Sequence, residues 1–122
     1  MDDDDLVRDS LGQMLESLGY RVDFAIEGNE ALDSIRNAMA SGEPFDVVIM
    51  DLTIPGGRGG KDTIEELNET APDVKAIVTS GYSNDPIMAK FGDYGFNAVL
   101  TKPYKDIVEL SVILDKVIKD GH

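Results

Sequence analysis

Apolar positions along this chain follow two spacings that take turns. Val7, Leu11, Met14, Leu15 and Leu18 recur at helical intervals and make one stripe, which Gly19 ends. Arg21 to Ala25 then alternates, Val22 and Phe24 on one side and Arg21 and Asp23 on the other, which predicts a half-exposed edge strand. After a turn at Glu27-Gly28-Asn29, a second helix carries Ala31, Leu32, Ile35, Ala38 and Met39 and closes at Ser41-Gly42-Glu43-Pro44. Val47 to Met50 is apolar without alternation, as in a strand covered on both faces. The glycine-rich run from Pro55 to Gly60 is too flexible for an element interior and leads into a short helix holding Ile64 and Leu67.

Val74, Ala76, Ile77 and Val78 predict another buried strand, followed by a loop over Gly81 to Asp85. Pro86 suits the first turn of a helix with Ile87, Met88 and Phe91, which Gly92 and Gly95 weaken, so that helix is expected to be short and mobile. Ala98 to Leu100 is the last strand, and Ile107, Leu110, Leu114, Val117 and Ile118 stripe the final helix. The alternation is that of a parallel α/β sheet with crossover helices. It opens on a helix where a doubly wound sheet opens on a strand.

The 122 residues suit one domain, which buries roughly 65% of the surface of its unfolded chain. With no cysteine, disulfides, thiolate metal sites and cysteine nucleophiles are excluded. No apolar run approaches the roughly 20 residues of a membrane span, and the start has no signal-peptide pattern, so a cytoplasmic protein without membrane contact is expected. The net charge of −13 disfavours direct nucleic-acid binding and directs attention to proteins and metal cations as partners.

In open parallel sheets, ligands bind beyond the carboxyl ends of the strands. The residues delivered there are Asp51, Ser80 and Lys102, and the acidic run Asp2 to Asp5 stands where a strand before the first helix would end. Crowded carboxylates repel unless a divalent cation with hard oxygen ligands joins them, and magnesium suits one or two carboxylates with a phosphate oxygen. An ammonium and a hydroxyl beside it suit the remaining phosphoryl oxygens, and Asp51 is best placed as a nucleophile giving an acyl phosphate. Asp4 and Asp5 serve the helix N-terminus instead.

These residues resemble the receiver domain of two-component response regulators over nearly the whole chain. Asp2-Asp3 with Leu6-Val7-Arg8 resembles the family's acidic pair, Phe45 to Asp51 its phosphoacceptor strand, and Ile54-Pro55 with Gly59 the following loop. Thr79-Ser80-Gly81 resembles the hydroxyl position and Thr101-Lys102-Pro103 the lysine followed by proline. The stretches Asp51 to Gly57 and Ser80 to Pro86 look most like receivers fused to hybrid sensor histidine kinases. The resemblance implies a flavodoxin-like doubly wound parallel sheet in strand order 2-1-3-4-5. It implies Mg²⁺ held by Asp3, Asp51 and the Thr53 backbone carbonyl, with Asp2 acting through water. It also implies that Lys102 pairs with Asp51 and later the phosphoryl group, that Ser80 reorients to it, and that the Lys102-Pro103 peptide is cis.

The function so implied is phosphorelay signal transduction: Mg²⁺-dependent acceptance of a phosphoryl group onto Asp51 from a partner phosphohistidine, on a sensor histidine kinase or a histidine phosphotransfer protein. The isolated domain is a switch rather than a turnover enzyme. Two departures stand out. Only Met1 precedes the acidic pair, where the family has its first, central strand; without that strand its two neighbours stand about 9 to 10 Å apart, twice the pairing distance. This predicts an N-terminally truncated receiver over residues 1–122, or a dimer or strand exchange that replaces the missing strand. The family's aromatic residue three before the lysine is Val99 here, which leaves Tyr82 as the candidate reporter of the switch.

Gly57 to Thr63 resembles a phosphate-binding P-loop but has Pro55 and Asp62 where Gly and Ser or Thr are needed. A calcium loop fails because the aspartates are adjacent. An aspartate-nucleophile phosphohydrolase is the rival enzyme, yet the second aspartate such enzymes often place two residues on is Thr53 here. A non-phosphorylated interaction module that keeps the pocket as scaffold is the other rival. His122, the lone histidine, excludes a histidine kinase core within this chain.

Overall fold

The computed structural model describes residues 1–81, 85–102, 104 and 106–120. Three apolar runs form parallel strands, β1 (Val47–Asp51), β2 (Lys75–Ser80) and β3 (Ala98–Thr101), in the spatial order β1-β2-β3. The register sets Val48 beside Ala76, Asp51 beside Thr79 and Ser80 beside Thr101. Residues of β1 therefore alternate between two edges. Even positions face β2, as the bonds from Leu52 N to Thr79 O (2.9 Å) and from Lys75 N to Asp46 O (3.0 Å) show.

Helices cover both faces, which is why these strands carry no polar alternation. One core joins Met50, Val78 and Ala76 to Leu32 and Ile35 of α2 (Gly28–Ala40) and to Ile64 and Leu67 of α3 (Gly60–Thr70). The other joins Ile49, Ile77 and Leu100 to Leu110, Leu114 and Val117 of α5 (Ile107–Asp120), with Leu11, Met14 and Leu15 of α1 (Asp5–Ser17) against it. The Asp4 carboxylate accepts from Leu6 N and Val7 N and so caps α1, while Gly19 takes φ +93° just past its end. The helix after Pro86 is short as predicted: α4 (Pro86–Ala89) gives way to a 3₁₀ turn, Phe91–Tyr94, which ends at Gly95 with φ +97°. No helix among the described residues is long and apolar enough to cross a membrane.

The predicted edge strand at Arg21 to Ala25 does not form. Among the described residues this segment has no strand ladder. Among the described residues, Met1 and Asp2 lie between it and β1: Met1 N donates to Ile49 O (2.7 Å), Asp51 N to Met1 O (2.9 Å) and Asp2 N to Ala25 O (3.0 Å). Two residues thus occupy the last step of a central strand position. Behind them a groove of about 1120 Å³ runs between Val22 to Ala25 and Val47 to Ile49.

Candidate functional site

Parallel strands deliver their carboxyl ends to one edge of the sheet, and the residues found there come from four distant parts of the chain. Asp51 ends β1, Ser80 ends β2, Lys102 follows β3, and Asp2 and Asp3 lead into α1. Asp51 and Ser80 are buried, with 9% and 4% of their surface exposed. The bond from Lys102 N to Ser80 O (3.0 Å) fixes where the lysine leaves the sheet. Its Nζ then reaches Asp51 Oδ2 at 3.1 Å and Asp2 Oδ2 at 2.6 Å.

Asp2 is itself held firmly. Its carbonyl accepts from Arg8 Nη1 at 2.6 Å and its Oδ1 accepts from Asp4 N at 3.0 Å. Carboxylate oxygens of Asp2, Asp3 and Asp51 all lie within 4.8 Å of one another. Asp2 Oδ2 is buried and pairs with the ammonium. One ammonium therefore faces three carboxylates, which leaves the cluster short of positive charge.

That imbalance shows in the titration of its members. Burial pushes the Asp51 carboxyl above its ordinary range; the Lys102 bond opposes this, and the neighbouring Asp2 and Asp3 charges reinforce it. Burial alone would lower Lys102, but the bonds to Asp2 and Asp51 outweigh it and hold the ammonium above its ordinary value. The Met1 amino group, desolvated between β1 and Asp2, falls to about 6.

The expected residues Asp2, Asp3, Asp51, Lys102 and Ser80 are thus gathered at one sheet edge. Thr53 lies two residues beyond Asp51 and is exposed. Gly59 is where the loop after Asp51 folds back: a Cβ there would stand 2.5 Å from Leu52 O and 2.7 Å from Thr53 Cα. Val99 is half-buried in β3 against the core. Tyr82, the Lys102-Pro103 peptide and His122 lie outside the described residues.

Two supports were not foreseen from sequence. Arg8 anchors the Asp2 backbone, and only its position six residues on, one helical turn into α1, hinted at this. The Tyr104 hydroxyl meets Thr79 Oγ1 at 2.8 Å, tying the segment after Lys102 to β2. Burial drives the Tyr104 phenol up to about 12, against the Thr79 bond. The sequence signal was slight: a tyrosine two residues beyond the lysine.

Comparison with known proteins bears on the family and the fold. A family model described as response regulator receiver domain matches residues 1–114. The chain is 37% identical over 98 residues to the sensor kinase CckA of Brucella abortus, a match covering 75% of this chain and 10% of that protein. It is 30% identical over 115 residues to the transcriptional regulatory protein FixJ of Azorhizobium caulinodans, covering 93% and 51%. Across the first of these relatives, then, the chain spans between a tenth and about half of their length. A CheY-like receiver domain protein from Methanospirillum hungatei superposes with a TM-score of 0.83 at 27% identity, over 98% of this chain and 90% of that one. The receiver domain of sensor histidine kinase PA1611 from Pseudomonas aeruginosa, solved with magnesium coordinated in its active-site cleft, superposes with a TM-score of 0.81 at 26% identity, over 98% and 93%.

Proposed function

The chain belongs to the response regulator receiver domain family, and on that premise we propose that it is the phosphoacceptor of a phosphorelay, taking a phosphoryl group onto Asp51. The observation that carries this reading is the convergence of Asp51 with Lys102, Asp2 and Asp3, where one ammonium faces three carboxylates.

These residues suit a divalent cation, since three carboxylate oxygens stand within reach of one point. Asp3, Asp51 and the Thr53 carbonyl would hold Mg²⁺, with Asp2 acting through water. Bound there, the ion would supply positive charge against which incoming phosphoryl oxygens can settle.

This chain's own groups then do the following. An Asp51 oxygen attacks the phosphorus of a phosphohistidine on a sensor histidine kinase or phosphotransfer protein. The O–P bond forms as the P–N bond breaks, and its electron pair stays on the imidazole, which takes a proton from solvent. Lys102, already 3.1 Å from Asp51, moves its charge onto a phosphoryl oxygen, and Ser80 offers a hydroxyl from the end of β2. Lys102 has then exchanged a carboxylate for the phosphoryl group, and the β3 end shifts with it, which changes protein contacts.

Acetyl phosphate with Mg²⁺ provides the test. The chain gains about 80 Da on one residue, the gain is abolished by chelation, and Asp51→Asn does not acquire it. A label that persists in Asp51→Asn would refute the assignment, and steady phosphate release from small phosphoesters would favour the hydrolase.

A further inference from the structure

The loop after Asp51 is fastened to α2 at Arg58. Arg58 N donates to Glu27 Oε2 at 3.2 Å, and Arg58 O accepts from Gly28 N at 2.6 Å, so the loop and the start of α2 bond to each other in both directions. So close an approach needs glycine at the seam. A Cβ on Gly28 would stand 2.0 Å from Thr63 Oγ1 and 2.9 Å from Arg58 Cβ, and one on Gly57 would stand 3.1 Å from Glu27 Cβ. The guanidinium then spreads over further acceptors: Nη1 donates to Asn29 Oδ1 at 3.0 Å and to Glu66 Oε1 at 3.1 Å, and Nη2 to the Asp62 carbonyl at 2.7 Å. Arg58 thereby joins its own loop to both α2 and α3, a task for which a planar fork of N–H donors is suited and a point charge is not.

This hold reaches the site through the next residue. Gly59 lies against the peptide unit that carries the Thr53 carbonyl, since a Cβ there would meet Leu52 O at 2.5 Å, Thr53 Cα at 2.7 Å and Ile54 N at 2.9 Å. The Gly59 carbonyl accepts from the buried Thr63 Oγ1 at 2.7 Å. Between these anchors the chain makes a turn closed by Gly57 N to Ile54 O (3.1 Å), with Pro55, Gly56 and Gly57 exposed and Gly56 at φ +76°. Glycines in such a turn leave many backbone conformations open, so the Thr53 peptide takes its place from the anchor beyond the turn. Ion-pair strength does not account for the arrangement: the Arg58 and Glu66 side chains are 31% and 40% exposed, and pairs of that kind contribute little to stability. Bonds that converge from several elements on one side chain supply position.

On the reading that Asp51 and the Thr53 carbonyl share a divalent cation, we propose that Arg58 is a positioning residue for that ion: it buckles the loop onto α2 and α3 and so presents the Thr53 carbonyl beside Asp51. Arg58 touches neither the ion nor a phosphoryl group and acts through Gly59. Removing outer groups that orient ligands lowers metal affinity by about 10- to 100-fold. The sign of the effect separates this role from plain electrostatics. Arg58 is itself a cation, so its loss tightens Mg²⁺ binding if charge alone acts and weakens it if position acts.

Calorimetric titration of the full chain with Mg²⁺, at a temperature where circular dichroism shows each protein folded, compares the parent with Arg58→Met and Arg58→Lys. Arg58→Met should bind at least about tenfold more weakly, and Arg58→Lys, which keeps the charge and loses the fork, should fall between the two. Coupling is reciprocal, so Mg²⁺ should slow exchange of the Gly28 amide at least about fivefold in the parent and leave it unchanged in Arg58→Met. The proposal is overturned if Arg58→Met binds as tightly as the parent or more tightly, if Mg²⁺ leaves Gly28 exchange unaltered in the parent, or, should Arg58→Met not fold, if Arg58→Lys matches the parent. Labelling by acetyl phosphate keeps this role apart from the phosphoacceptor reading. A parent that binds Mg²⁺ and takes the label while Arg58→Met behaves identically sinks the positioning role alone. A parent that binds no Mg²⁺ removes both, and one that binds Mg²⁺ without taking the label removes the phosphoacceptor reading and leaves the role of Arg58 to be decided by the titration.

Discussion

Replacing Lys102 with methionine removes the ammonium paired with Asp2 and Asp51 while keeping most of the side chain's volume. At an effective dielectric of about 20, contacts of 2.6 Å to Asp2 and 3.1 Å to Asp51 correspond to a gross attraction of about 5 to 6 kcal/mol each, most of it cancelled by desolvation. What remains after the ammonium is lost is repulsion between buried carboxylates, and stripping one partner from such a set costs about 3 kcal/mol. Urea unfolding of Lys102→Met in chelator should therefore show a loss of about that size. Saturating Mg²⁺ should recover most of it, because a divalent ion replaces the missing charge. With the competing ammonium gone, Mg²⁺ should also bind at least about tenfold more tightly than to the parent chain, as calorimetry would report. Phosphorylation by acetyl phosphate should nonetheless fall, since the charge that follows the phosphoryl group is absent. Chelator stability within about 0.5 kcal/mol of the parent, or no response to Mg²⁺, would show that the three carboxylates are not coupled through Lys102.

Other outcomes follow from neighbouring contacts. Asp51 has its folded pKa raised above the ordinary 3.8, so the folded state holds its proton more tightly and Asp51 weakens the fold increasingly as pH rises from 3.8 to that raised value, and fully above it. Asp51→Asn should accordingly be more stable than the parent in chelator at neutral pH, with the advantage shrinking as pH falls through the raised value toward 3.8; urea midpoints across that range would check it. Gly59→Ala drives a methyl into Leu52 O and Thr53 Cα, and should cost about 1 to 3 kcal/mol while slowing phosphorylation through displacement of the loop after Asp51. Thr79→Val leaves the half-buried Tyr104 hydroxyl without its 2.8 Å partner and should cost about 1 to 2 kcal/mol, whereas adding Tyr104→Phe should return part of that loss in a double-mutant cycle.

Much of this protein could be read along the chain because its elements are set by local pattern. Unbroken apolar runs at Val47 to Met50 and Val74 to Val78 can be satisfied only by burial on both faces, and Gly19, Pro86 and Gly95 stop or start helices through backbone geometry that no distant contact is needed to explain. The site residues were equally legible, since a parallel sheet places whatever follows each strand at one edge. The segment Arg21 to Ala25 shows where such reading fails: it has the alternation of a strand, but strand is a property of a pair, and among the described residues it bonds on that side to Asp2 alone. Equally invisible were the hold of Arg8 on Asp2, the bond between Tyr104 and Thr79, and the burial that raises Asp51. The identity of the carboxylates and the lysine was written in the amino-acid order; that they share one ammonium depends on distances between residues far apart in the chain, which only folding creates.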